Sequence, residues 1–189
     1  FFYTHTTAYA ILSGLVGSEM CIRDSLEGES QSKNFQIEID YSPSNLINLR
    51  FAYKDYDVKA DYINGYLRVP MIAKTRFFSN ISFESERNTK GAQWRYDFTH
   101  HFIGKQRYFS NQEISSSNFS PNYSLINSQL TRAINYNLEL YLGSENIGNY
   151  TQKTPIVDSE NPFGPDFDTS QIYAPIFGRM IYLGLRWNL

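Results

Sequence analysis

Three groups of residues in this sequence could do chemistry by type and spacing. His100-His101 is a potential metal pair; Asp158, Glu160, Asp166 and Asp168 are acids close enough together to suggest calcium; serine, histidine and aspartate are all present, as a hydrolase would require. Adjacent residues of a strand point to opposite faces, so His100 and His101 cannot hold one ion between them. His100 reads instead as a member of an aromatic belt. The acids miss the spacing of a calcium loop, because the sixth position counted from Asp158 is Phe163 where the turn needs Gly. They read as a solvated loop. No nucleophile elbow surrounds any serine. The expectation is a protein that is not an enzyme and has no metal or cofactor.

Composition narrows the class. The 189 residues carry 17 Lys+Arg against 19 Asp+Glu, a net charge of −2, which does not support a basic nucleic-acid face, and no nucleic-acid partner is expected. Aromatics are 16% of the chain, with 15 Tyr and 14 Phe. No apolar run reaches the length of a membrane-spanning helix. Many aromatics with low mean hydropathy fit alternating barrel strands, whose signal per segment is weak, and fit an aromatic-rich soluble β-sandwich equally. Residues 1–25 stand apart. Leu15-Val16-Gly17-Ser18-Glu19-Met20-Cys21-Ile22-Arg23-Asp24-Ser25 resembles a translated sequencing adapter. The apolar run Ala8 to Gly17 lacks the basic flank and small-residue cleavage site of a signal peptide. Residues 26–189 are therefore the expected folded unit. Cys21, the only cysteine, lies outside it, leaving no thiol chemistry.

The elements that must position everything else are strands. Period-2 alternation marks seven of them: Phe35 to Tyr41; Leu49 to Tyr53, extending toward Val58; Phe77 to Phe83; Trp94 to Phe102; about Tyr123 to Arg132; Leu138 to Leu142; and Ile181 to Leu189. Ser42-Pro43-Ser44-Asn45 and Asn88-Thr89-Lys90-Gly91 have turn composition, and Ala133-Ile134-Asn135 is a short link. Between them lie long connections, Val58–Pro70, Gly104–Asn122 and Ile147–Pro175, the last with four of the seven prolines. Connections that alternate short and long, joining strands of which the longest reach about 10 residues, are the habit of outer-membrane barrels, with tight periplasmic turns and long extracellular loops. Arg50, Lys54, Arg95 and Arg186 would then face the lumen.

The final strand is the sharpest signal. Ile181, Leu183, Leu185, Trp187 and Leu189 alternate with Tyr182, Gly184, Arg186 and Asn188. Tyr182, Gly184, Trp187 and Leu189 resemble the C-terminal signal by which the assembly machinery recognises outer-membrane barrels, although Phe is the usual last residue.

Further motifs carry a resemblance to a family. Gly143-Ser144-Glu145-Asn146, Ile147-Gly148-Asn149-Tyr150, Thr154-Pro155-Ile156-Val157, Asn161-Pro162-Phe163-Gly164, Phe167-Asp168 and Pro175-Ile176-Phe177-Gly178-Arg179 resemble, in that order, the end of TonB-dependent outer-membrane receptors of the Bacteroidetes type. Trp94, Asp97-Phe98-Thr99 and Ile103-Gly104-Lys105-Gln106-Arg107 are similar to the same group. The resemblance implies an all-β, antiparallel up-and-down transmembrane barrel of 22 strands in the outer membrane of a Gram-negative cell. It also implies a plug that couples to the TonB energy-transducing complex, and import of a scarce small molecule such as a siderophore or cobalamin. This chain would supply about seven C-terminal strands without plug or energy-coupling box, and would not transport by itself. Ligand contacts are expected in the long loops, at Tyr62, Tyr66, Phe109 and Tyr173. A passive porin or small barrel, and a soluble β-sandwich binding module, are the alternatives.

Overall fold

In the computed structural model, which describes residues 28–62, 65–108, 119–164 and 167–188, every alternating stretch is a strand of a single antiparallel sheet. The strands are β1 (Ser30–Ser44), β2 (Ile47–Tyr62), β3 (Gly65–Arg68), β4 (Thr75–Glu84), β5 (Gln93–Ile103), β6 (Tyr123–Ala133), β7 (Leu138–Glu145) and β8 (Met180–Trp187). They lie in the order β1-β2-β4-β5-β6-β7-β8, with the short β3 paired to β2 beside that path. Among the described residues there is no helix, hence none long and apolar enough to cross a membrane. Nor is there the second sheet that a sandwich requires.

Two boundaries differ from the sequence expectation. The first turn is Asn45-Leu46, later than Ser42–Asn45, because β1 continues to Ser44 and Ser44 pairs with Ile47. The register slips by one residue between Tyr41 and Ser44, a bulge that takes up Pro43, which has no N–H to give a ladder. The connection expected over Val58–Pro70 is partly strand: β2 runs on to Tyr62 and folds back, pairing Lys59–Tyr62 with Gly65–Arg68. Asp57, Lys59 and Asp61 occupy the positions where apolar residues would have announced a strand. Asp57 is held by Lys59 at 3.1 Å and by Arg68 at 3.0 Å.

The pairing register sorts side chains into two faces. One carries Phe35, Ile37, Ile39 and Tyr41 of β1 and Leu49, Phe51 and Tyr53 of β2. It continues with Phe77, Ile81 and Phe83 of β4, then Trp94, Tyr96 and Phe98 of β5, Ile126 and Leu130 of β6, Leu140 and Leu142 of β7, and Ile181, Leu183, Leu185 and Trp187 of β8. Nothing described covers it: Ile39 is 53% exposed, Leu142 51% and Leu183 77%. The opposite face is polar. Arg50 binds Asp40 at 2.5 Å, Glu139 bridges Arg95 at 2.5 Å and Arg186 at 3.2 Å, and Asn80 donates to Thr99 Oγ1 and the Phe98 carbonyl. The hydrophobic residues that are buried among the described ones are four alanines, Ile103 and Tyr123.

The apolar band is also staggered. Following the pairs from Ile181 through Ser144, Ser128, Phe98, Ile81 and Leu49 leads to Tyr41. Ile181 is the loop-side limit of the band on β8, whereas Tyr41 is its turn-side limit on β1, where the loop-side limit is Phe35, six residues away. The band thus climbs about one residue per strand step. With a rise of about 3.3 Å and a spacing of about 4.8 Å, the strands are tilted about 35° from the normal to the band.

Tyr182 and Gly184 find a structural role here. Tyr141 pairs with Gly184 and Gly143 with Tyr182, so two tyrosines each lie over the glycine of the neighbouring strand, their rings 6.3 Å apart in an edge arrangement. A Cβ on either glycine would collide with the facing ring. The Tyr182 hydroxyl reaches across β7 to Gln129 Oε1 at 2.9 Å. Gly184→Ala is expected to destabilise the sheet by about 1–3 kcal/mol through overpacking, read as a lower urea midpoint in detergent; the double variant with Tyr141→Ala should recover much of the loss.

Candidate functional site

The loops gather over the polar face at the end of the sheet away from the tight turns. Ile103 of β5 pairs with Tyr123 of β6, and these two, with Leu125, are roofed by Ala73, Tyr150, Tyr173 and Ala174 from the connections. Tyr123 and Tyr150 stack with centroids 5.0 Å apart and planes within 6°; Tyr173 is tilted against Tyr123 at 6.2 Å and Tyr108 against Tyr173 at 5.8 Å. The Tyr123 hydroxyl donates to the Tyr173 carbonyl at 2.8 Å.

Side-chain amides hold the loops in this arrangement. Gln152, 7% exposed, accepts from the N–H of Tyr173 at 2.9 Å through Oε1 and donates through Nε2 to the carbonyls of Gln171 and Thr154, while its own N–H donates to the Pro175 carbonyl. It therefore staples both limbs of the connection between β7 and β8. Asn146, in a left-handed conformation at φ 50°, accepts from the Tyr150 N–H and donates to the carbonyls of Tyr150 and Phe177. Asn149, also at positive φ, accepts the Arg179 N–H at 2.8 Å. Asparagine tolerates that region better than most residues. On the neighbouring connection, Gln106 and Ser120 exchange backbone and hydroxyl hydrogen bonds, and Gln106 Nε2 donates to the Tyr173 carbonyl.

Beside the tyrosines is a hollow of about 420 Å³, with Tyr108, Tyr150, Tyr173, Lys153, Gln171 and Val157 among its lining residues. Aromatic faces, amide groups and one ammonium are means of binding. Burial raises the pKa of all three phenols, Tyr108, Tyr150 and Tyr173; for Tyr150, burial and then its hydrogen bond with Tyr173 push it up to about 12.

The residues singled out in the sequence are dispersed. Tyr173 is part of the cluster. Tyr62 lies under the Arg107 guanidinium at 5.2 Å, and Arg107 in turn donates to the Arg68 carbonyl, tying β3 to the connection after β5. Tyr66 pairs with Asp61 while Gly65 pairs with Tyr62, so Tyr66 is directed to the other face and is 47% exposed. Tyr182 and Gly184 are on the polar face and Trp187 is on the apolar one, 69% exposed. Phe109 and Leu189 are outside the described residues. His100 and His101 are on opposite faces, His100 against Ser124 Oγ at 3.1 Å and His101 against Phe78. Asp168 is used internally: it accepts from Ser170 and Gln171, and its backbone pairs with Val157. No group of three potential ligands for a metal occurs among the described residues. Gln106, Gln152, Tyr123 and Tyr150 were not expected, since isolated amides and tyrosines in polar stretches give no period to read.

No family model, curated protein or solved structure matches the chain.

Because the folded Tyr150 keeps its proton up to about pH 12 against 10 for a free phenol, its contribution to stability is complete below pH 10 and lost as the pH rises toward 12. Phenolate absorbance should show one late-titrating tyrosine that disappears in Tyr150→Phe; an unchanged titration would remove the burial assigned to this ring.

Proposed function

We propose that this sheet is a wall of an outer-membrane β-barrel, the C-terminal part of a TonB-dependent receptor that imports a scarce small molecule of the siderophore or cobalamin kind. The observation that carries the reading is the inverted distribution of side chains: one largely apolar face left uncovered across seven strands, interrupted by Arg132, His100 and a few serines, against a face of ion pairs and amides. An apolar surface spread across seven strands is rare on soluble monomers. It matches a wall with lipid outside and a wet lumen inside. Three further features support the reading. The tilt of about 35° is that of strands in closed barrels. The band on β5, from Trp94 to Phe102, is about 22 Å high after tilt, against roughly 25 Å for the apolar belt of outer-membrane barrels. Aromatics edge the band at both ends: Trp94, Tyr96, Trp187 and Tyr41 toward the tight turns, Phe35, Tyr53, Phe77 and Phe102 toward the loops.

β1 and β8 each pair on one side only among the described residues. In hydrocarbon every unpaired backbone group costs several kcal/mol, so the reading requires further strands beside both. The assembly machinery would read Tyr182, Gly184 and Trp187. The energy-transducing complex would act through a plug against the face of Arg50, Lys54, Arg95 and Arg186. The tyrosine cluster, at the loop end, would meet the ligand from outside the cell.

Leu183→Arg separates this from any water-soluble reading. Leu183 is already 77% exposed, so in water the substitution should change stability by no more than about 0.5 kcal/mol. In a bilayer it should cost about 2–4 kcal/mol, measured as a lower folded fraction in vesicles by the mobility shift on heating. An equal, negligible effect in both media would sink the membrane reading. For the transport step, disrupting the gene should abolish energy-dependent uptake of one scarce ligand and leave passive leakage of small solutes intact; loss of passive leakage alone would identify a porin.

A further inference from the structure

On β4 to β8 the apolar face carries one full charge among the described residues, Arg132 of β6. The register sets it between Trp94 of β5 and Leu140 of β7, at the end of the band next to the tight turns. Its guanidinium carbon is 4.6 Å from the centre of the Trp94 ring. No carboxylate among the described residues pairs with it: Glu139, its neighbour on β7, is on the opposite face, committed to Arg95 and Arg186. A cation in an apolar band with no acid beside it is an unmet electrostatic demand. Trp94 stabilises the flat face of the guanidinium, while the N–H groups on its edge remain suited to two oxygens of one anion. A second guanidinium–ring pair, Arg87 over Tyr136 at 5.8 Å, links the β4–β5 and β6–β7 turns at the same end.

We propose that Arg132, backed by Trp94, binds the phosphate of a glycerophospholipid whose acyl chains run along Leu130, Leu140, Leu142 and Leu185. The inference rests on the membrane reading above and adds a specific lipid site to it. Depth favours it: an arginine costs about 2–4 kcal/mol at the bilayer midplane but only about 0–1 near the interface, where lipid phosphates are the available counter-charge. Charge favours it too, since an arginine bound to an acid of its own chain would have no such demand.

The test is retention of phosphatidylglycerol by the full chain in a non-ionic detergent, counted by native mass spectrometry. Arg132→Gln is expected to retain about tenfold less than the parent, the loss of one charge-assisted two-toothed contact. Lys90→Gln, an exposed cation in the β4–β5 turn, should retain as much as the parent, and diacylglycerol with the same chains should be retained by neither. Retention unchanged in Arg132→Gln, or diacylglycerol held as well as phosphatidylglycerol, overturns the lipid site while the detergent belt leaves the membrane reading standing. A chain that runs as a water-soluble species with no detergent bound overturns both. If Arg132→Gln loses its sheet signal in circular dichroism, Arg132→Lys replaces it: a several-fold loss is expected, and full retention overturns the proposal.

Discussion

The backbone ladder governs this structure. Each strand of the sheet answers the N–H and C=O groups of its neighbour, from Ser30↔Ala60 at one edge to Glu145↔Met180 at the other, and needs no water to do so. Once the ladder is in place, the side-chain period of two leaves no freedom about which residues share a face. A slip of one residue anywhere between β1 and β8 would turn Ile39, Leu49 or Leu183 inward and Glu38, Arg50 or Arg186 outward. The reciprocal tyrosine–glycine pairs at β7 and β8 oppose such a slip directly, because only one register gives each ring a glycine to cover.

The two faces are stabilised by different physics. On the apolar side there is little packing between side chains to add to the ladder, and burial there depends on what surrounds the sheet. On the polar side, ion pairs such as Glu139 with Arg95 and Arg186 contribute modestly where water reaches them. The loops rely on amides instead. Gln152 and Asn146 each satisfy several backbone groups that would otherwise lack partners, each bond adding about 0.5–1.5 kcal/mol. Together with the small cluster around Tyr123 they give the long connection between β7 and β8 a defined shape, which a prolyl- and glycine-containing stretch with one internal bridge would otherwise lack.

The sheet was legible in the sequence because alternation survives wherever the two faces of a sheet differ in polarity. Phe77 to Phe83 and Ile181 to Trp187 announce themselves in this way, and the positions of four of the six turns and connections follow from their composition. The end of β2 and all of β3 were not legible, since Asp57, Lys59 and Arg68 pair with one another beyond the apolar band and the period carries no hydrophobic contrast there. Pro43 was read as part of a turn when it marks a bulge. The site was legible only at Tyr173. Tyr123 looked like one more strand residue and Gln152 like one more loop residue; their roles depend on contacts between connections far apart in sequence, which no local pattern encodes.

The stagger of the band links the edges to the loops. Because the apolar stretch climbs about one residue per strand, β1 and β2 project past β4 at the loop end, and the β2–β3 hairpin extends them with charged residues suited to water. At the other edge β8 ends close to the tight turns, with Trp187 opposite Leu138. Closing a sheet into a barrel requires its strands to tilt and its register to stagger by a fixed shear. The climb of this sheet is a stagger of that kind: its band is offset by six residues between β1 and β8, each of which pairs on one side only among the described residues. Under the membrane reading, the same stagger that separates the two edges in height is the shear by which a wall of strands curves toward closure.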